Sequence, residues 1–196
     1  MKRFLVILFG VMLFAMPAQA QSWGDMLKGL FGDDTASQPI EKAIYPTAKQ
    51  IVGKWVYQQL DMDYTGDSPI ASMGVSTAKT QLSAVASAAK LTAGKDYVKL
   101  AGNGTFLLQS GERKIEGTYS YNPSNGKMIL VVGEKLKAEA TVTLVDGKGR
   151  IMFNAKQAAL TIEQNSSSFK DNTTFRLMKE IVMAYPEITV GAIMKK

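Results

Sequence analysis

Gly102 to Val132 reads GNGTFLLQSGERKIEGTYSYNPSNGKMILVV, which spells three β-strands and two tight turns within one short segment. Phe106 and Leu108 point one way while Thr105 and Gln109 point the other. After Ser110-Gly111, Arg113, Ile115, Gly117, Tyr119 and Tyr121 alternate with Glu112, Lys114, Glu116, Thr118 and Ser120. A period of two is that of a half-buried antiparallel strand. Asn122-Pro123-Ser124-Asn125-Gly126 then reverses the chain, because Pro123 fixes φ near the turn value and Asn125-Gly126 can take positive φ at little steric cost. Lys127 to Val132 is the return strand. The meander predicts a small antiparallel barrel that the rest of the chain closes.

Downstream, Leu136, Ala138, Ala140, Val142 and Leu144 alternate with Lys137, Glu139, Thr141 and Thr143, so Lys135–Val145 reads as a strand. Asp146-Gly147-Lys148-Gly149 makes a hairpin turn, and Arg150–Asn154 returns with Ile151 and Phe153 on one face. The period changes again in the tail. Ala155–Gln164 suits a short helix, Asn165–Ser168 a polar loop, and a second helix capped by Asn172 or Thr173 ends before Pro186, with Phe175, Met178, Val182 and Tyr185 on one stripe. Ile188, Val190, Ala192 and Met194 alternate with Thr189, Gly191, Ile193 and Lys195 as a closing strand. We expect it to pair with the first long strand, which removes the exposed sheet edges that invite aggregation.

That first strand runs from Ile51 to Tyr64 and is rich in β-branched and aromatic residues. Gly53 stands two residues before Trp55. A glycine there admits a backbone or a bulky ring, and an indole at the base of a barrel can plug its closed end. Asp67 to Leu91 has a different texture, low in aromatics and high in Ala, Ser and Thr. Val75, Ala78, Leu82, Val85 and Ala89 recur at spacings of three and four, which marks one apolar helical stripe flanked by Lys79 and Lys90, with Gly94 as its stop signal. Asp96–Leu100 reads as a short strand before the meander.

The first twenty residues carry a basic start (Lys2, Arg3), an apolar run from Phe4 to Met16 and the small-x-small pattern Ala18-Gln19-Ala20. This reads as a secretory signal peptide cut before Gln21. An uncleaved anchor is the alternative, but the run falls short of the roughly 20 residues that span a bilayer. Residues 21–46 then form an N-terminal amphipathic turn and linker. Trp23, Met26, Leu27, Leu30 and Phe31 fall at helical spacing, and Asp33–Pro39 is polar. This turn reads either as a membrane-surface or partner-docking element, or as an N-terminus lying on the barrel. Residues 47–196 make a single barrel domain, and no transmembrane segment is expected in the mature chain.

Composition narrows the function classes. The formal charge is +6, or about +4 without Lys2 and Arg3, and the lysines mostly alternate with Glu, Thr or apolar residues. A nucleic-acid binder would show a clustered basic stripe with interleaved aromatics, so no nucleic acid is expected as a partner. Cysteine is absent, which excludes a disulfide and also the lipid-accepting cysteine of a bacterial lipoprotein. Periplasmic or secreted localisation follows from these readings. Histidine is absent too, which deletes the usual general base and the commonest metal ligand.

From about Ile44 onward the chain resembles a family of secreted lipocalin-like domains of unknown function from Gram-negative bacteria. The likeness is carried by Gly53-Lys54-Trp55, the Ala-rich helix, Gly102-Asn103-Gly104-Thr105-Phe106, Gly117 to Pro123 with Gly126-Lys127, and the final helix with its strand. It implies a mostly β fold: a lipocalin-like antiparallel β-barrel with an inserted Ala-rich helix and C-terminal helices before a closing strand. The family carries no assigned activity to transfer.

No catalytic residues, metal site or cofactor are expected. Asp61 and Asp63 lie two apart on a strand and share a face, which would suit a divalent cation or an acid/base pair; the plainer reading is a solvated strand end. Gly102-Asn103-Gly104 sits between strands and lacks the strand-to-helix context of a phosphate loop. Binding is the better-supported class. About eight strands enclose just enough room to be packed solid or to hold one small ligand. Arg113, Ile115, Tyr119 and Tyr121 share a face, and Trp55 and Tyr57 are further candidate ligand-lining residues. The plainer reading has Arg113 snorkelling to water and the tyrosine hydroxyls at the rim. The expected function is an exported non-catalytic binding protein for a small apolar or amphipathic ligand. The alternative is a protein-facing inhibitor or envelope interaction module with a protein partner in the envelope.

Overall fold

The computed structural model describes residues 44–133, 136–165 and 173–196. The expected leader, the Trp23–Phe31 turn with its linker, most of the loop read at Asn165–Ser168 and the Asn172 cap lie outside the described residues.

Eight antiparallel strands close a barrel in chain order, so every strand pairs with its sequence neighbours and the first with the last. They are β1 Gly53–Tyr64, β2 Tyr97–Leu100, β3 Thr105–Ser110, β4 Arg113–Asn122, β5 Lys127–Val132, β6 Leu136–Val145, β7 Lys148–Asn154 and β8 Ile188–Lys195. Among the described residues four helices accompany them: α1 Ala48–Ile51, α2 Pro69–Ala88, α3 Ala155–Asn165 and α4 Thr173–Ala184. The closed antiparallel barrel and the closing strand stand as the alternation predicts, and the inserted helix as its spacing of three and four does. Ile51, expected at the start of the first strand, instead ends α1, where Thr47 and Gln50 form a reciprocal capping box.

Each hairpin register keeps the apolar alternates on one side. Phe106 faces Gly117, Leu108 faces Ile115, Tyr119 faces Leu130, and Val142 faces Ile151. Asp146-Gly147 both take positive φ (50° and 71°) between the paired Val145 and Lys148, as a two-residue type I′ hairpin requires. Gly94 is not where α2 stops. The helix ends at Ala88, and Lys90 takes the left-handed conformation with φ 58°. Its N–H donates to Ser87 and that of Leu91 donates to Ala86, the paired bonds of a Schellman motif. Ser68 starts the same helix, its hydroxyl accepting from Ala71 N–H, with Pro69 at the first helical position.

The barrel is packed at both ends. At the base, Ile51, Trp55, Leu100, Phe106, Met128 and Met194 are buried together. Pro46 is also fully buried and accepts the Tyr121 hydroxyl on its carbonyl at 2.7 Å, so the segment entering β1 seals that end. Trp55 is only 4% exposed, and its indole N–H donates to Ile51 carbonyl at 2.6 Å. The glycine that makes room for the indole is Gly149 on β7, where a Cβ would lie 2.7 Å from the ring. Gly53, expected to do this, instead takes φ +136°, a conformation L side chains rarely adopt. At the other end, Val75 and Ala78 of α2, Ala155, Ala158 and Ala159 of α3 and Val182 of α4 close over Met62, Phe153 and Val190. Tyr185 meets Tyr64 edge to face at 6.2 Å, which fixes the chain leaving α4 against the end of β1.

Two variants test the base. Gly149→Val places methyl groups where the indole lies and is expected to lower unfolding free energy by about 1–3 kcal/mol through overpacking. Trp55→Ala empties the same space and should cost about 3–5 kcal/mol. Urea unfolding midpoints followed by circular dichroism check both, and a Gly149→Val protein as stable as the parent would contradict this packing.

Candidate functional site

β1 places Trp55, Tyr57, Leu60 and Met62 inward, but not by simple alternation. Its pairing with β8 slips between Tyr57 and Gln59, a β-bulge that absorbs Gln58 and returns Leu60 to the inner face. Its pairing with β2 lasts only from Gly53↔Leu100 to Val56↔Tyr97. On that edge the last backbone bonds are those of Tyr57 to Gly94 and Asp96, and past them α2 packs against β1.

Between β1 and α2 lies a cavity of about 290 Å³. Tyr57, Leu60, Leu82, Ala86 and Leu91 supply its apolar wall, and Gln58, Gln59, Lys79 and Ser83 its polar part. Tyr57 is thus the one expected lining residue on this cavity. Trp55 lies deeper, in the base. Ile115, Tyr119 and Tyr121 are half-buried against the same core that holds Trp55 and Tyr57. Arg113 is exposed at the first residue of β4. Tyr119 donates its hydroxyl to Ala101 carbonyl at 2.8 Å, as Tyr121 does to Pro46, so both hydroxyls tie the barrel to its loops.

The inward faces also show where packing stops. Leu82, Leu130, Val132 and Ile151 touch both end cores, yet none is fully buried. Leu108 and Ile115 are likewise only partly buried against the base core. Leu82 also lines the cavity beside α2, so part of this exposure opens there.

Asp61 and Asp63 do share an outer face of β1, and a cation from β7 engages both. Arg150 Nη2 lies 2.6 Å from Asp61 Oδ2 and 3.1 Å from Asp63 Oδ2, and its Nε donates to Asp61 at 2.8 Å. The guanidinium crosses β8 to reach β1. Gly191, which pairs with Asp61, leaves that outer face without a side chain, since a Cβ there would fall 1.9 Å from Ile151 carbonyl. Burial alone would lower the Arg150 pKa, but the two carboxylates outweigh it and hold it raised. No group of three or more carboxylates fit to hold a metal occurs among the described residues. The pair reads as a structural strap across three strands.

Asp96 is the polar residue the sequence reading passed over. It is buried, and its carboxylate accepts from Thr92 N–H at 2.8 Å, Gly111 N–H at 3.0 Å and Ser110 hydroxyl at 3.2 Å. One side chain therefore joins the loop after α2 to the β3–β4 turn. The loop backbone meets β1 as well, because Gly94 N–H donates to Tyr57 carbonyl and Tyr57 N–H donates to Asp96 carbonyl.

Three tyrosines around the interior have raised pKa values. Burial is the leading cause for each; Asp96 adds to it at Tyr57, where Leu60 backbone partly opposes the shift, and Tyr45 adds to it at Tyr121. A phenol that resists ionisation in the folded state is destabilising only when the unfolded chain can lose that proton. The stability is therefore complete below the unfolded value of 10.0 and declines as pH rises from there through the folded values. Tyrosinate absorbance in an alkaline titration should show a late-ionising class, and urea midpoints should fall above pH 10 by less in Tyr119→Phe/Tyr121→Phe than in the parent. A single titration step at the ordinary value would contradict the burial of these rings.

No curated protein and no solved structure matches the chain. A family model does match, over residues 27–196, and it describes a lipocalin-like domain, in agreement with the closed barrel. The chain belongs to the lipocalin-like domain family DUF4923.

Proposed function

We propose that this protein is a non-catalytic binding protein that holds a small apolar or amphipathic ligand inside the barrel. The observation that carries the reading is the contrast along the barrel axis: both ends are packed, while Leu82, Leu130, Val132 and Ile151 between them retain accessible apolar surface. An interior of that kind, mostly apolar with a few polar groups at its edge, is the usual chemistry of a small-molecule site. Catalysis has less to work with. The chain has neither histidine nor cysteine, and the paired acids Asp61 and Asp63 are engaged by Arg150. In this reading the protein acts in the periplasm or the medium, a proposal that rests on the leader pattern of residues 1–20.

A protein-facing role is the second reading, and Ile70 on α2 and Met183 on α4 are the exposed apolar side chains that favour it. Single exposed apolar residues are common on soluble surfaces, so the interior contrast is the stronger observation.

Titration with the environment-sensitive probe 1-aminoanthracene tests the proposal. The parent protein should bind the probe with a blue-shifted emission, and Leu130→Trp, which fills the space between the cores, should weaken binding by at least about tenfold, or roughly 1.4 kcal/mol. Circular dichroism verifies that the variant keeps its barrel. Absence of probe binding by the parent, or equal binding by both proteins, would overturn the proposal.

A further inference from the structure

We propose that the ligand enters the barrel sideways, between β1 and α2, and that Lys79 makes this passage selective for an amphiphile with an anionic head. The inference rests on the ligand-binding reading above and adds a route and a charge preference to it. β1 loses its β2 partner after Val56, its last backbone bonds on that edge are those of Tyr57 to Gly94 and Asp96, and its bulge between Tyr57 and Gln59 begins there. The wall there is completed by a helix, and side-chain contacts between a helix and a strand open at less cost than a ladder of backbone hydrogen bonds.

The cavity in that gap has an inside and an outside. Tyr57, Leu60 and Leu82 belong to the packed or partly packed interior, whereas Gln59 and Lys79 are on the outer side of β1 and α2. Its volume of about 290 Å³ would hold on the order of ten water-sized groups at ~30 Å³ each. A ten-carbon chain is of that order.

Charge picks the head group. Lys79 is the charged residue among those lining the cavity, and its side chain is 44% exposed. Its contact with Asp61 Oδ1 is 3.8 Å, too long for a hydrogen bond, while the other oxygen of that carboxylate is held by Arg150 at 2.6 Å. The ammonium can therefore turn toward a carboxylate in the cavity without breaking a short bond. The Gln58 amide nitrogen is turned to the backbone, donating to the carbonyls of Val56 and Tyr57. The apolar floor formed by Leu82, Ala86 and Leu91 then receives the tail.

Displacement of 1-aminoanthracene by decanoate, decanol and decyltrimethylammonium, which share a tail and differ in head charge, tests the passage. Decanoate should bind about tenfold more tightly than decanol, and decyltrimethylammonium more weakly than either. Lys79→Gln should collapse the decanoate-to-decanol ratio to about one, and Ala86→Phe, which narrows the gap, should slow association of decanol in stopped flow by about tenfold. An unchanged ratio in Lys79→Gln together with unchanged association in Ala86→Phe would overturn the passage and leave interior binding intact, provided decanol still displaces the probe. Failure of all three amphiphiles to displace a bound probe would overturn the passage, and failure of the probe itself to bind would overturn both readings.

Discussion

β1 cannot satisfy two strand neighbours along its whole length, and most of the architecture follows from that constraint. Its twelve residues pair with β2 over the first four and with β8 from Val56 onward, so the ring closes only because one strand is shared between two partly offset ladders. The bulge between Tyr57 and Gln59 lets the strand change course and still return Leu60 and Met62 to the interior. What remains is an edge that would otherwise stand unpaired, and α2 packs there. Alanine, serine and threonine dominate this helix because small side chains let it lie close to the strand, and its Ala78 reaches the same core as Met62 and Phe153.

The same geometry explains why the ends are tight and the middle is not. The base is closed by the chain's own entry segment, with Pro46, Ile51 and Trp55 buried there and Gly149 cleared for the indole. The other end is closed by three helices whose buried residues include Ala78, Ala155, Ala158 and Ala159, small side chains that bring backbones close. Leu130 and Ile151 lie between the two sets, packed against both and only partly buried. A barrel of eight strands has an interior near the limit that side chains can fill, and in the proposed reading leucine, valine and isoleucine leave space at that level. Binding is the natural use of such space.

Much of this was legible in the sequence, and the parts that were not share a cause. Alternation revealed the strands and most of their faces, because a period of two survives outside the β1 bulge, and the need to cover sheet edges pointed to the pairing of first with last. Interactions between segments distant in the chain left no such trace. Nothing near Asp61 or Asp63 announces Arg150, some ninety residues later, and only the register through β8 brings them together. Gly53 drew attention as the partner of Trp55, while the glycine that makes room for it is Gly149, read from sequence as part of a turn. Gly104-Thr105-Phe106 and Gly117-Thr118-Tyr119 are alike in sequence, yet their glycines meet two needs: Gly104 has positive φ, whereas Gly117 lies under the ring of Phe106. Lys90 ended the helix where Gly94 was expected, because a Schellman pair with Leu91 packing back toward Ala86 outweighed the penalty of a left-handed lysine. Of the six expected lining residues, Tyr57 faces the cavity beside α2, and the bulge that matters there carries no sequence signal of its own.

The unfilled level between the two cores is the claim on which the binding account stands, and xenon reports it directly because it occupies dry apolar cavities. Crystals of the unliganded protein pressurised with xenon should show an atom bound among Leu82, Leu130, Val132 and Ile151, with the barrel unchanged around it. Xenon found only at surface sites, with those four side chains in mutual contact, would contradict the account.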